Sequence, residues 1–168
     1  YASTSSLEWR RANLHAHGRA WLGMTSARQT DAEVAGAYRA QGYDVAAISD
    51  YQHIAAPADS SLAAYEHGYN AGKHHQLAIG ARRVAWFDLP LWQGVHQKQY
   101  IINTVAETAE LVAIAHPAAL QGYAYSDAEL AQLSGYQLME VVNGRFSAES
   151  SWDAALSAGR PVWALGDD

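Results

Sequence analysis

Short, continuously apolar runs alternate along the chain with segments whose apolar residues recur every three or four positions. The apolar runs predict strands that are buried on both faces, and the periodic segments predict helices. The predicted strands are LHAHG, YDVAAIS, HQLAIGARRVAW, LVAIAHP, QLMEVVNG and PVWALG. Strands that alternate with helices in this way predict a parallel α/β fold, either a barrel or an open sheet.

Two of the predicted helices have clear starts. Thr30 with Glu33 and Ser126 with Glu129 fit capping boxes, in which the paired side chains satisfy exposed amides of the first helical turn. Three further segments are predicted to be helical: DSSLAAYEHGYNAG, with a cap at Ser60 or Ser61, then KQYIINTVAETAE and AESSWDAALSAG.

Polar side chains follow nearly every predicted strand. They are His15 and His17, Asp50, Arg82, His116, Asn143, and Asp167 with Asp168. Because the carboxyl ends of parallel strands meet at one edge, we expect these groups to build a site there. Simpler readings stay open for some of them: Asp50 could cap a turn, Asn143 could belong to a turn, and the final aspartates could be a solvated terminus.

The pair His15 and His17 carries the strongest chemical signal. In an extended chain, residues two apart point the same way, so both imidazoles should reach one point. Neutral imidazole nitrogens at such a point are good ligands for zinc, iron or manganese, and we favour a metal site. His74 and His75, in the polar stretch GKHHQ, are interpreted as surface residues, and His67 as a surface or packing residue.

Composition indicates a globular protein and argues against some classes of partner. The 168 residues carry a net charge of −6 and no cysteine, and 49% of them are hydrophobic, so we expect one globular domain over residues 1–168. Without a basic stripe or a long apolar run, neither nucleic acid nor a membrane is an expected partner. The start at Tyr1 suggests that a leader has been removed, and the end in an apparent strand suggests further residues. A soluble protein, cytoplasmic or exported, is expected, and the sequence leaves the oligomeric state open.

With these motifs in order, the chain resembles the PHP (polymerase and histidinol phosphatase) family. The matching segments are NLHAHG, GYDVAAISDYQH, LAIGARRV, VAIAHP, LMEVVNG and ALGDD. The resemblance implies a distorted seven-stranded (β/α) barrel, here possibly incomplete at the C-terminus. It also implies two or three divalent metals held by strand-end side chains, and hydrolysis of phosphoesters.

The resemblance also implies roles for individual residues. His15, His17 and His116 match metal-binding histidines, and Asp168 matches the aspartate of a closing motif whose final histidine would follow the chain. Asp50 matches a metal-site aspartate. His96 lies where the family often has another site histidine.

Departures from the family pattern suggest a smaller metal site. Tyr51 stands where the family has a histidine ligand, with His53 as a possible substitute, and Arg82 stands where the family has a bridging glutamate. A guanidinium beside two cations would be repelled strongly, so we expect Arg82 to replace one ion and to bind an anionic group, leaving one metal near His15 and His17.

The function expected from these residues is metal-dependent hydrolysis of a phosphoester in a small anionic substrate. A divalent metal (Zn, Mn or Fe), with fewer ions than in typical family members, would activate water. His116 or His53 would complete the coordination or move a proton, and Arg82 would neutralise developing charge. The alternative is a degenerate relative that binds an anion or a partner without catalysis. Hydrolysis of a non-phosphate substrate is also open.

Overall fold

The computed structural model describes residues 8–24, 27–57, 61–119, 124–144 and 146–167. Four helices lie in these segments: α1 (Asp31–Ala40), α2 (Val95–Ala106), α3 (Asp127–Gln132) and α4 (Glu149–Ser157). The strands are β1 (Ala12–Asn13), β2 (Val45–Ala46), β3 (Ala64–His67), β4 (Gln76–Ile79), β5 (Leu111–Ile114), β6 (Leu138–Asn143), β7 (Phe146–Ser147) and β8 (Trp163–Asp167). Both predicted capping boxes are confirmed at the starts of α1 and α3.

The predicted seven-stranded (β/α) barrel is wrong. The main sheet has six strands in the order β3-β4-β5-β6-β7, with β8 also paired to β6, while β1 and β2 form a separate parallel pair. The pairings β3–β4, β4–β5 and β6–β7 are antiparallel, and only β5–β6 and β6–β8 are parallel. Within the described segments the sheet does not close. The fold is therefore mixed α/β, with a mostly antiparallel sheet and four short helices.

The error arises in the segment DSSLAAYEHGYNAG, which was predicted to be a helix. The structure forms β3 there, and β3 and β4 are joined as an antiparallel hairpin with Tyr65 opposite Ala78 and His67 opposite Gln76. All four residues of β3 are buried, so the strand lacks the alternating pattern that marks a half-exposed strand. A hairpin in place of a helical crossover reverses β4, and this reversal makes the sheet antiparallel.

The reversal of β4 determines which side chains share an edge of the sheet. Gln76, the first residue of β4, lies opposite Ile114, the last residue of β5. The residues just outside this register, His75 and His116, therefore lie at the same edge, and the end of β3 lies there too. The carboxyl end of β4, which leads to Arg82, lies at the opposite edge.

The buried apolar side chains pack on the sheet and on the β1–β2 pair in separate clusters. The largest core cluster joins the sheet to α2 and α3 through residues such as Ile101, Val105, Leu130 and Met139. A smaller cluster packs α1 against β2. Among the described helices, none is long and apolar enough to cross a membrane.

Candidate metal centre

Glu66 lies at the centre of a cluster of histidines at the polar edge of the sheet. Its side chain is fully buried in β3. The oxygen Oε2 lies 3.2 Å from His15 Nε2 and 3.0 Å from His17 Nε2. The oxygen Oε1 lies 2.6 Å from His75 Nδ1 and 2.9 Å from His116 Nε2. One carboxylate therefore faces two pairs of imidazoles, one pair on each oxygen.

The first pair of histidines fits a metal site without rearrangement. His15 Nε2 and His17 Nε2 are 3.1 Å apart, and each is 3.0–3.2 Å from Glu66 Oε2. Atoms bound to one ion at about 2.0–2.1 Å lie about 3.0–3.4 Å from each other in octahedral or tetrahedral coordination. The three atoms therefore have the spacing of ligands on one ion. The predicted convergence of His15 and His17 is present in the structure.

The second pair of histidines could hold another ion on the other oxygen of Glu66. Ligand atoms from Glu66, His75 and His116 all lie within 4.8 Å of one another. His75 Nε2 and His116 Nδ1 are buried and have no hydrogen-bond partner among the described residues. His116 also has a φ of +30°, an unusual backbone conformation for a residue with a side chain. Clusters of His and Glu that could hold a metal ion are thus present.

Glu140 on β6 accepts hydrogen bonds from one residue of each histidine pair. Its Oε1 accepts a short hydrogen bond from His15 Nδ1, and its Oε2 accepts one from the His116 amide at 2.6 Å. Asn143 Nδ2 also donates to Oε2, at 3.3 Å. A carboxylate behind a metal-binding imidazole fixes the ring orientation and makes the ring a stronger ligand. Glu140 is therefore suited to orient His15 and the backbone of His116.

The electrostatics of the cluster favour an ionised Glu66 beside a charged His15. Burial by itself would raise the pKa of Glu66, but the charge of His15 and the hydrogen bonds from the surrounding imidazoles hold it well below its usual value. Burial opposes the charge on His15, yet Glu66 and Glu140 raise the pKa of His15 well above its usual value. Burial lowers the pKa of His75, which therefore stays neutral at pH 7. The cluster thus combines buried carboxylates with a compensating proton.

The cluster opens into a pocket of about 520 Å³, which we call the cluster pocket. Its wall includes His15, His17, His116, Tyr51 and Asn143, with neutral residues of α1 on the far side. Among the lining residues that the structure describes, only the histidines can carry charge. The Tyr51 ring stacks on His17 with centroids 4.7 Å apart. Burial and the nearby Glu66 charge raise the Tyr51 pKa, so its hydroxyl keeps its proton.

Asp50 and His53 lie beside the cluster, next to His17 and to each other. Asp50 is fully buried, and its Oδ1 accepts a hydrogen bond from the Gly18 amide at 2.8 Å and lies 3.8 Å from His17 Nδ1. Its Oδ2 lies 4.0 Å from Nδ1 of the half-exposed His53. Asp31, Asp50 and His53 form a third group with the spacing of metal ligands. Asp50 thus stands next to His17, as expected, but on its outer side.

Arg82 lies at the end of β4 opposite to the cluster, and the exposed His96 belongs to none of the potential metal-ligand groups found among the described residues. Arg82 is exposed beyond the carboxyl end of β4, where its amide donates to the Thr108 carbonyl and its side chain donates to the Glu107 carbonyl. Four strand residues span roughly 10 Å, so the opposite end of β4 holds His75 out of its reach. His96 is exposed in the first turn of α2. The expected placement of Arg82 beside the histidines does not fit this geometry, because the carboxylate that faces both histidine pairs is Glu66.

Of the remaining predictions, Asp168 lies outside the described residues, and three central residues were missed. Glu66 lies in a segment that was predicted to be a helix, so it was not assigned to the site. His75 was interpreted as a surface residue, although only 2% of it is exposed. Glu140 was quoted within a motif but not assigned to the site. The available signal was the hairpin pattern: Gly68, Asn70 and Gly72 separate two short apolar runs, which is typical of two antiparallel strands.

Comparison with known proteins adds no relative. No protein-family model matches the chain, and no curated protein matches it. The similarity to the PHP family therefore rests on the motifs alone.

Proposed function

We propose that the protein is a metal-dependent hydrolase that acts on a phosphoester in a small soluble substrate, with up to two divalent ions sharing Glu66. The observation that carries the proposal is the division of the Glu66 carboxylate, with one oxygen facing His15 and His17 and the other facing His75 and His116. Imidazole and carboxylate ligands suit zinc, manganese and iron. This set of residues still resembles the PHP pattern, with the bridging glutamate on β3.

The arrangement of side chains in the cluster supports this proposal. Two imidazole nitrogens face each oxygen of the buried Glu66 carboxylate, those of His15 and His17 on Oε2 and those of His75 and His116 on Oε1. Imidazoles that converge on one buried carboxylate oxygen have the spacing of ligands on a shared ion. Divalent ions bound here would supply an activated water and would polarise a phosphoryl oxygen.

The protein residues around the cluster suit an anionic substrate. The cluster pocket presents amides from Gln29, Gln41 and Asn143, and these can donate hydrogen bonds to phosphoryl oxygens without repelling them. Tyr51 keeps its proton and can donate to an oxygen bound in the pocket. Asp50, placed on the outer side of His17, is suited to orient that imidazole. Because Arg82 is distant, the groups of the cluster itself would have to balance the negative charge of the substrate.

The proposal is tested by turnover of a panel of phosphoesters with and without added Zn²⁺ or Mn²⁺. The Glu66→Gln variant keeps the shape of the side chain but removes the shared charge, and we expect it to lose at least about 100-fold in metal-dependent kcat/KM. Glu149→Gln, at an exposed position in the first turn of α4, is the matched control and should match the unchanged protein. Tight metal binding with no turnover of any panel ester would contradict the hydrolase proposal and favour the anion-binding alternative.

A further inference from the structure

A second pocket of about 600 Å³ lies against the other side of the metal cluster. Tyr51 belongs to its wall as well as to the wall of the cluster pocket, and His75 also lines it. We call it the aromatic pocket and define it by Trp21, Tyr51, Gln52, Tyr69, Lys73 and Trp86. The function proposed above uses only the cluster pocket and leaves the aromatic pocket without a role.

The aromatic side chains of this pocket are held in place although they are partly exposed. The Trp21 and Trp86 rings are 6.2 Å apart and nearly perpendicular. Trp21 Nε1 donates to the Tyr51 carbonyl at 2.7 Å, and the Tyr69 hydroxyl donates to the Asp88 carbonyl at 3.2 Å. Exposed fractions of 44% for Trp21, 55% for Tyr69 and 62% for Trp86 leave large ring surfaces in contact with water. A concave group of exposed rings is the kind of surface that binds planar aromatic ligands.

Gln52 provides a separate indication of a ligand. Its side-chain amide nitrogen donates to the Ala85 carbonyl at 3.0 Å, which fixes the orientation of the amide. Its Oε1 is buried and has no hydrogen-bond partner among the described residues, and only 6% of the residue is exposed. A buried acceptor without a donor is unfavourable unless a ligand supplies one. A ligand with an N–H or O–H group would therefore suit the aromatic pocket.

Backbone strain is concentrated at the same place. Trp21, Gln52 and Lys73 have φ values of +51°, +49° and +55°, which side-chain-bearing residues seldom adopt. They are three of the five such non-glycine residues within the described segments, and His116 of the metal cluster is another. Strained residues of this kind cluster at ligand sites, where the surrounding structure holds them.

We propose that the aromatic pocket binds a planar aromatic ring that carries a hydroxyl or amino donor, and that this ring is the ester substituent of the substrate. The ring would stack among Trp21, Tyr69 and Trp86, and its donor would pair with Gln52 Oε1. The exposed ammonium of Lys73 would favour an electron-rich or acidic ring over a cationic one. The assignment of the ring to the substrate rests on the proposed function, whereas binding of the ring does not.

Binding of 2-naphthol to the full chain without added metal tests the pocket by itself. We expect 2-naphthol to bind at least about tenfold more tightly than 2-methoxynaphthalene, which lacks the donor, or decahydro-2-naphthol, which lacks the planar ring. Trp86→Leu should weaken 2-naphthol binding by about tenfold, whereas Trp163→Leu, at an exposed tryptophan of β8, should not change it. Gln52→Met should abolish the preference for the hydroxyl. Calorimetry and ligand-observed NMR measure these differences, and equal binding of all three probes would overturn the proposal.

Turnover with Mn²⁺ or Zn²⁺ tests the link with the substrate. We expect kcat/KM for 6-hydroxy-2-naphthyl phosphate, whose free hydroxyl can pair with Gln52, to exceed that for ethyl phosphate, and Trp86→Leu to remove this preference mainly through KM. Binding of 2-naphthol together with equal kcat/KM for the two esters would overturn the assignment of the ring to the substrate. Metal-dependent turnover with no binding of 2-naphthol would overturn the pocket and leave the hydrolase proposal standing.

Discussion

Replacing Glu140 by glutamine tests whether the cluster is organised for metal binding. Both oxygens of Glu140 accept hydrogen bonds, Oε1 from His15 Nδ1 and Oε2 from the His116 amide and from Asn143 Nδ2. Glutamine has a single acceptor oxygen. In either orientation of the amide, its NH₂ group would therefore face an N–H donor, of His15 on one side or of His116 on the other.

The size of the effect follows from the bond that is lost. A hydrogen bond to a charged group is worth about 1.5–3 kcal/mol, which corresponds to about 10–100-fold in affinity. Loss of a carboxylate behind a metal-binding histidine typically costs the same factor in metal affinity. We therefore expect Glu140→Gln to weaken binding of Zn²⁺ or Mn²⁺ by about 10–100-fold, although the residue would not touch the ion.

Competition with a chromogenic chelator at fixed pH measures this affinity. Glu149→Gln makes the same chemical change at an exposed site and should leave the affinity unchanged. A Glu140→Gln protein that binds the metal within about twofold of the unchanged protein would refute the orienting role assigned to Glu140.

Three other predictions concern the ion pair of Lys98 with Glu129 and the packing at Gly68. Lys98 is only 2% exposed, and its Nζ donates to both oxygens of Glu129 at 2.8 Å. Glu129→Gln leaves this buried ammonium without a charged partner and should lower the unfolding free energy by about 3 kcal/mol. Lys98→Met removes the buried charge itself and should lower the unfolding free energy by only about 1 kcal/mol. Partial burial tends to raise the pKa of Glu129, but its hydrogen bond with Lys98 lowers it overall. The stabilisation from this pair should therefore be complete above about pH 4.3, the usual pKa of Glu, and should be lost as the pH falls through the lowered pKa. Denaturant titrations at several pH values measure this change. Gly68→Ala should displace His75, because a Cβ there overlaps the imidazole and φ is +130°, and elemental analysis should find less bound metal.

Each of these predictions has its own control. Gly36→Ala places a methyl group in open space on α1, so it should keep the metal content of the unchanged protein. An equal metal content in Gly68→Ala would show that His75 is not a ligand. Equal losses of unfolding free energy in Glu129→Gln and Lys98→Met would contradict the expectation that an unpaired charge costs more at the buried Lys98 than at the partly exposed Glu129. A Lys98→Met protein with an undiminished loss of stability in acid would contradict the role assigned to Glu129.

Local signals in the sequence predicted the two capping-box starts correctly, but the helix start at Ser60 or Ser61 was wrong, because that segment forms β3. The capping boxes depend on side chains three residues apart, and Thr30 with Glu33 forms the expected reciprocal bonds. The convergence of His15 and His17 was also predictable, because two residues in an extended chain suffice for it. Non-local pairing was not predictable in the same way. The strand β3 is buried on both faces, and its sequence fits a helix pattern as well as a strand pattern, whereas β4 was predicted as a strand.

The error in this one element explains most of the errors in the predicted site. With a helix in place of β3, β4 would run parallel to β5 and would bring Arg82 to the edge that holds His116. In the antiparallel sheet, that edge receives the start of β4 and therefore His75, while Glu66 enters from β3. The expected loss of the bridging carboxylate followed instead from the resemblance, in which Arg82 stands where the family has a glutamate. A cluster that could hold a metal ion was predicted from the sequence, whereas the contributions of Glu66, His75 and Glu140 to it were not.

The most direct test of the central claim is a crystal structure grown with Mn²⁺, with diffraction data collected to reveal anomalous scattering. We predict anomalous peaks on both sides of the Glu66 carboxylate, one within coordination distance of His15 and His17 and one within coordination distance of His75 and His116. A single peak between the first pair would limit the centre to one ion. Peaks only elsewhere, or none at Glu66 at a saturating metal concentration, would contradict the account.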